Sequence, residues 1–268
     1  MVTAAMTSAG VVGAMVFAGF TYLTTQQQVA IAQRQIGVAQ DQIGVAQQQN
    51  QVAEQAQFTE RFTNAVDQLD RAGPEHLQAR LGGVYALERL ARDSPRDHPT
   101  IIAVLSAFIG ATSRSLPCDD LETPEDVSAA LTVLARRETN HDNNLRIDLR
   151  GAKLSGADIS GIDLTGADLR QTCMRSTTIM FAKLDEAKLD DADLRNAGVV
   201  DTSLNHASLK GTDLRGAFLI GSRLIESDLT SADLRGAELG NAKLDRSEHA
   251  GARVEGALTN ENTTGKWW

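Results

Sequence analysis

The residues of this chain best suited to chemistry are two cysteines and a few histidines. His76, His98 and His141 could bind a metal or move a proton, but they are scattered. No HExxH is present, and none of the three has a partner at ligand spacing. Each reads as a surface or capping histidine. Cys118 and Cys173 lie in different kinds of sequence, with no CxxC and no Cys/His metal spacing. The count allows a disulfide between them, but little in the sequence supports one. Gly82-Gly83 is no phosphate loop, because no GxxxxGK follows; the pair instead permits close helix packing. Arg80, Arg89 and Arg92 read as a solvated helix face. Aspartates and arginines are plentiful further on, but there they follow a fixed period that accounts for them. No nucleophile, base and orienting group stand together. The reading is therefore a non-enzymatic chain with no catalytic residues, no metal site and no cofactor.

Bulk composition points the same way. The chain is 42% hydrophobic but only 4% aromatic, so alanine, leucine and valine carry the apolar content. That suits repetitive packing better than a bulky enzyme core. A formal net charge of -9 lacks the basic excess of a nucleic-acid binder, so direct nucleic-acid binding is not expected.

No side chain carries a charge from Met1 to Gln33. Ala4 to Leu23 is mostly apolar and about 20 residues long, enough to span a bilayer. Residues 1–25 are therefore read as a single-pass transmembrane anchor. A cleaved signal peptide would want a basic start and an A-x-A site, and neither is present. Gly10, Ala14 and Ala18 form a small-xxx-small row that allows close helix approach. The first basic residue after the span is Arg34, so the positive-inside rule places the C-terminal body in the cytoplasm.

Residues 26–57 read as a helical, coiled-coil stalk. QIGVAQD at 35–41 and QIGVAQQ at 42–48 repeat every seven residues. Val29, Ile36 and Ile43 fall in one register, with Ala32, Ala39 and Ala46 three later, which makes an a/d seam with small d residues. Asn50 continues the a row. A seam of this kind pairs with another copy as a homodimer; the alternative is a single flexible, glutamine-rich helix.

Residues 58–140 read as a small all-α domain of four amphipathic helices. Phe58, Phe62, Val66 and Leu69 form the first stripe, and Gly73-Pro74 breaks it. Leu77, Leu81, Val84, Leu87 and Leu90 form the second, ended by Ser94-Pro95. Ile101 to Ile109 makes a third and Val127 to Leu134 a fourth, entered through Thr123-Pro124-Glu125-Asp126.

From Leu149 the spacing changes. Leucine or a near equivalent recurs at every fifth position: Leu149, Leu154, Ile159, Leu164 and on to Leu244, with His249 breaking the chemistry and Val254 resuming it. The residue two before is almost always Ala, Ser or Thr. Neither helix nor strand has this period, since five residues turn an α-helix by about 500° and an odd spacing alternates strand faces. If every leucine faces one axis, the backbone must turn a corner every five residues, and units must stack to bury them.

ADLRG, ADLRN, ADLRQ and TDLRG all occur in this region. On these motifs, roughly Ile147 to Ala257 resembles the pentapeptide-repeat family, A(D/N)Lxx. The resemblance implies a right-handed, quadrilateral β-helix with twenty residues per coil, here assigned to 141–258, with 259–268 a C-terminal tail. The fold class is thus mixed: transmembrane helix and stalk, small helical domain, then β-helix. The stretches TERFTNAVDQL, ARLGGVYALERLARDSPRDHPTIIAVLSAFI and AALTVLARRETNHDNNLRIDLRGA further resemble membrane-anchored actinobacterial members of that family.

Four-sidedness puts residues twenty apart on one face, about 4.8 Å from each other. Arg175, Arg195, Arg215 and Arg235 then form a column beside Asp193, Asp213 and Asp233, a charged ladder. Met180, Val200 and Ile220 form an outward apolar column, with Phe181 and Phe218 close by. Such a column needs a cover, either the helical domain or a partner. GKWW at 265–268 lies where it can help cover the last coil near His249.

These features together describe a membrane-tethered scaffold that presents a pentapeptide-repeat coil to an unidentified protein partner. The alternative is duplex mimicry, since some family members imitate DNA and bind DNA gyrase. That needs a strongly acidic coil, whereas Arg146 to Glu255 holds 18 acidic and 15 basic residues.

Overall fold

The computed structural model describes residues 3–268, with side chains from Thr25 onward. The apolar run Ala4–Leu23 and its Gly10, Ala14, Ala18 row lie outside the residues whose side chains are described. Among the described residues, no helix is long and apolar enough to cross a membrane.

The chain divides into two compact units, Met1–Thr59 and Glu60–Trp268. Helix α1 (Thr3–Leu69) takes in both the glutamine-rich heptads and the stripe Phe58, Phe62, Val66, Leu69, so that stripe forms the last turns of α1 rather than a helix of its own. No Pro interrupts the sequence before Gly73-Pro74, and the strong helix formers Gln and Ala dominate the heptads. Val29, Ile36 and Ile43 are 50%, 58% and 58% exposed.

In the second unit, α2 (Leu77–Asp93), α3 (His98–Ser113) and α4 (Glu125–Arg136) pack on one another. The expected stripes supply the core: Val84, Leu87 and Leu90 from α2, Ile101, Leu105 and Ile109 from α3, Val127, Leu131 and Leu134 from α4, all buried. Gly83 is where α2 meets the end of α1, since a Cβ there would lie 2.7 Å from the Ala65 carbonyl oxygen. Arg80 departs from the solvated face read from sequence. Its Nε donates to the buried Asp126 carboxylate at 2.5 Å, and its guanidinium also reaches the carbonyls of Arg71 and Gly73.

The repeat region explains its period of five through one turn per repeat. Leu149 is buried on the axis, Arg150 follows, and Gly151 takes a φ of 66°. Ala152 then points inward and its N–H closes the turn on the Leu149 carbonyl at 3.0 Å. Lys153 bridges the next coil and Leu154 regains the axis. A left-handed residue recurs at the corresponding corner of nearly every repeat, which is why Gly, Asn and Asp are frequent there. Full burial of each axial leucine is worth roughly 1.5–3 kcal/mol.

Stacking follows a twenty-residue coil. Asp148 bridges Asp168, Lys153 bridges Cys173, Asp158 bridges Thr178 and Asp163 bridges Lys183, which defines four sides. Each side contributes a single parallel bridge residue per coil, so among the described residues the expected β-helix contains no extended strand. The corners come too often for one to form. Most Ser and Thr at the inward small position satisfy their hydroxyls on an axial carbonyl, as Thr177 does with Leu154, Thr202 with Ile179 and Thr212 with Leu189, whereas the buried Ser247 hydroxyl has no partner. The last coil holds one extra residue, so that Lys243 bridges Thr264, beyond the boundary at 258 that the leucine row marks. Past it, the Trp267 ring stacks on His249 at 4.3 Å and Trp268 meets Trp267 edge-on.

Candidate interaction faces of the coil

The charged ladder assembles as one connected face. Within each Asp-Leu-Arg rung the arginine folds back on the aspartate two residues earlier. Arg195 donates from Nε and its terminal nitrogen to the two oxygens of Asp193, at 2.8 and 2.5 Å. Arg215 and Asp213, then Arg235 and Asp233, repeat the fork. Rungs also join along the column: Arg195 Nε lies 3.4 Å from Asp213, Arg215 Nε 3.7 Å from Asp233, and Arg253 closes the far end on Asp233 at 2.8 Å. The hydrogen bond from Arg235 holds the Asp233 carboxyl below its ordinary range against the opposing effect of burial. Asp193 and its neighbours therefore spend their charge on each other rather than offering it outward.

Arg175 is the exception, and its reason is local. The residue two before it is Cys173, which stands in the column where the other rungs carry aspartate. Arg175 takes Asp119 instead, from the segment between α3 and α4. The neighbouring Cys118 forms a disulfide with Cys173. The disulfide that the count allowed but little in the sequence supported is thus formed, across a sequence separation of 55 that brings two unlike contexts face to face. Other contacts lay the same segment along the first coil. Ser155 donates to the Cys118 carbonyl at 2.9 Å, Thr123 donates to the Ser155 carbonyl at 3.1 Å, and Arg114 donates to the Arg150 carbonyl. A Cβ at Gly156 would collide with the Leu121 carbonyl oxygen. Ser113 accepts the Lys153 N–H at 3.2 Å, a donor that later coils direct at the coil before. The helical segment thus closes the open edge of the first coil.

A second joint lies around His98. It is 2% exposed, not a surface histidine, with Nε2 3.0 Å from Asp142 Oδ1 and Nδ1 3.3 Å from the Ala91 carbonyl. Arg137 donates to the other Asp142 oxygen at 2.9 Å and reaches the Asp163 carbonyl of the coil at 2.6 Å. The three side chains tie α2, α3 and the end of α4 to the first coil. His76 and His141 sit beside Glu75 and Glu138 nearer the surface.

The apolar column sits on a different side, that of the bridge column Thr178, Gly198, Phe218. Met180, Val200 and Ile220 are half-buried, less open than the outward column expected from spacing. The two phenylalanines are the open members, with Phe181 65% and Phe218 41% exposed. Gly198 lies between Thr178 and Phe218, and nothing stands within 4 Å of where its Cβ would be. The outward position at Gly198 is therefore open between Thr178 and Phe218 in the bridge column. Phe181 holds a φ of 55°, in the left-handed region that bulky residues avoid. Sequence spacing gave no sign of the strained corner at Phe181.

Residues 146–179, 180–219 and 207–246 match the pentapeptide-repeat family in eight copies. No curated protein sequence matches the chain. Among solved structures, it is similar to a pentapeptide repeat protein from the cyanobacterium Cyanothece 51142 at 28% identity, over 39% of this chain and 65% of that one, with a TM-score of 0.26. A second, HetL from the cyanobacterium Nostoc, involved in heterocyst differentiation regulation, is 27% identical over 42% of this chain and 60% of its own, also with a TM-score of 0.26. A third, the plasmid-mediated fluoroquinolone resistance protein QnrB1, is 16% identical over 42% and 77%, with a TM-score of 0.28. The chain spans less than two thirds of the first two structures' length, and superpositions at this level carry no functional argument.

Proposed function

We propose that this chain, whose residues 146–246 make it a pentapeptide-repeat protein, is a non-enzymatic scaffold that binds a protein partner on the apolar face of its coil. The observation that carries this reading is the exposure of Phe181 and Phe218 on one side of the coil, with the Gly198 position next to Phe218 in the bridge column left open. A solvated face gains nothing from two exposed aromatic rings, one of them on a left-handed corner, whereas aromatic side chains are what protein interfaces use as anchors. The ladder side is a poorer candidate, because each ladder arginine is already paired with a carboxylate. The same pairing gives no support to duplex mimicry, which needs free acidic groups in rows.

In this proposal the apolar run Ala4–Leu23 tethers the scaffold to a membrane, and the exposed heptad residues of α1 pair two copies. The tether raises the local concentration of partner sites at the membrane, and pairing doubles them.

The test is quantitative capture of protein from membrane extracts by full-length chain. Replacing Phe181 and Phe218 with Ser should reduce the captured partner at least tenfold while leaving the thermal melting of the coil within a few degrees. Undiminished capture by the double variant would remove this face from consideration.

A further inference from the structure

We infer that the segment 114–124 is a strap built to complete the ladder, and that Cys118–Cys173 is a standing bond made in an oxidising compartment. Three observations converge on the strap. The chain's only two cysteines are joined, so no thiol is left over. Cys173 occupies the ladder position that carries aspartate in the next three coils, and the residue adjoining Cys118 is the one that supplies the missing carboxylate to Arg175. Cys118-Asp119 thus docks on Cys173 and Arg175 as a unit, one covalent contact and one ionic. Gly156 leaves room for the strap's backbone, and Thr123, Ser155 and Arg114 register it on either side.

The strap has little else to hold it. Outside these contacts Asp119 is largely exposed, Leu121 is 50% exposed, and the segment lacks regular secondary structure between α3 and α4. A segment with so little buried apolar area opens readily unless something fixes it. The bond fixes it at the point where the ladder lacks its own carboxylate. Such structural bonds belong to oxidising compartments and are rare in the cytosol, where thiol reductants keep cysteines apart. Formation needs an acceptor: the two thiols give up two protons and two electrons to a disulfide-bearing oxidase by exchange through a mixed disulfide. The body therefore lies on the far side of the membrane from the cytoplasm, opposite to the side that the sparse basic residues after Ala4–Leu23 indicate. This inference stands on the strap alone and does not depend on the apolar side of the coil.

The experiment reads the thiol state of full-length protein in its native cells. Cells are quenched in acid, and the denatured protein is treated with a maleimide–polyethylene glycol reagent, with and without prior reduction. The expected result is no mass shift without reduction and two additions after it. Two additions without reduction, in most of the molecules, would overturn the proposal. Carbonate extraction of the same cells reports the tether separately, so a failed anchor and a failed disulfide give different results.

Discussion

Phe181 pays at the residue scale for something the coil does not need. Its corner takes a φ of 55°, where Gly, Asn and Asp stand at many other repeats, and its ring is two-thirds exposed. Strain of this kind costs about 1 kcal/mol or more for a bulky side chain. Phe181→Asn should therefore raise the thermal midpoint of the protein while weakening partner capture. A variant that melts lower would mean the ring stabilises the coil, and its exposure would lose its functional reading. The aspartates make a second prediction at this scale. Hydrogen bonds from Arg170 and Arg235 hold Asp168 and Asp233 below their ordinary values. A carboxylate so depressed contributes stability that is fully present above the ordinary aspartate value and is lost as pH falls through the folded one. Melting temperature should thus be flat near neutrality and fall below about pH 4. Arg235→Gln should flatten that acid decline, and parallel curves for variant and wild type would show the ladder is thermodynamically silent.

Elements differ in how far sequence alone reveals them. The leucine row gave a coil with one axis, because a period of five fits neither helix nor strand, and the resemblance carried by ADLRG and its variants supplied the four sides and the twenty-residue stacking. Helices α2, α3 and α4 followed from their stripes and breakers. What escaped were features that depend on three-dimensional neighbours. Cys118 and Cys173 meet only because the α3–α4 segment turns back along the first coil. His98 is buried because Asp142 and Arg137, both more than 35 residues later, close over it. Arg80 looks solvated on a helical wheel, yet the entry to α4 brings Asp126 against it. Single-residue bridges replaced strands for a reason the sequence did contain, the corner at every fifth position. In the ladder, the place of Cys173 in the column that carries Asp193, Asp213 and Asp233 had to be seen beside Asp119 before it meant anything.

Two exposed apolar features stand out at the scale of the molecule, the heptad residues of α1 and the phenylalanines Phe181 and Phe218 on the coil. The first predicts self-association. Full-length protein in detergent should behave as a dimer by light scattering, and Ile36→Gln with Ile43→Gln should shift it toward monomer. Equal mass for both would leave α1 a lone spacer. The second is the central claim, and site-specific photo-crosslinking in native cells tests it most directly. A photoreactive residue is placed at Gly198, on the apolar side, and in a separate chain at Lys188, on the opposite side of the coil. The account predicts a discrete protein adduct from position 198 that the Phe181, Phe218 double variant abolishes, and none from position 188. Adducts of the same size and yield from both positions, or from neither, would contradict it.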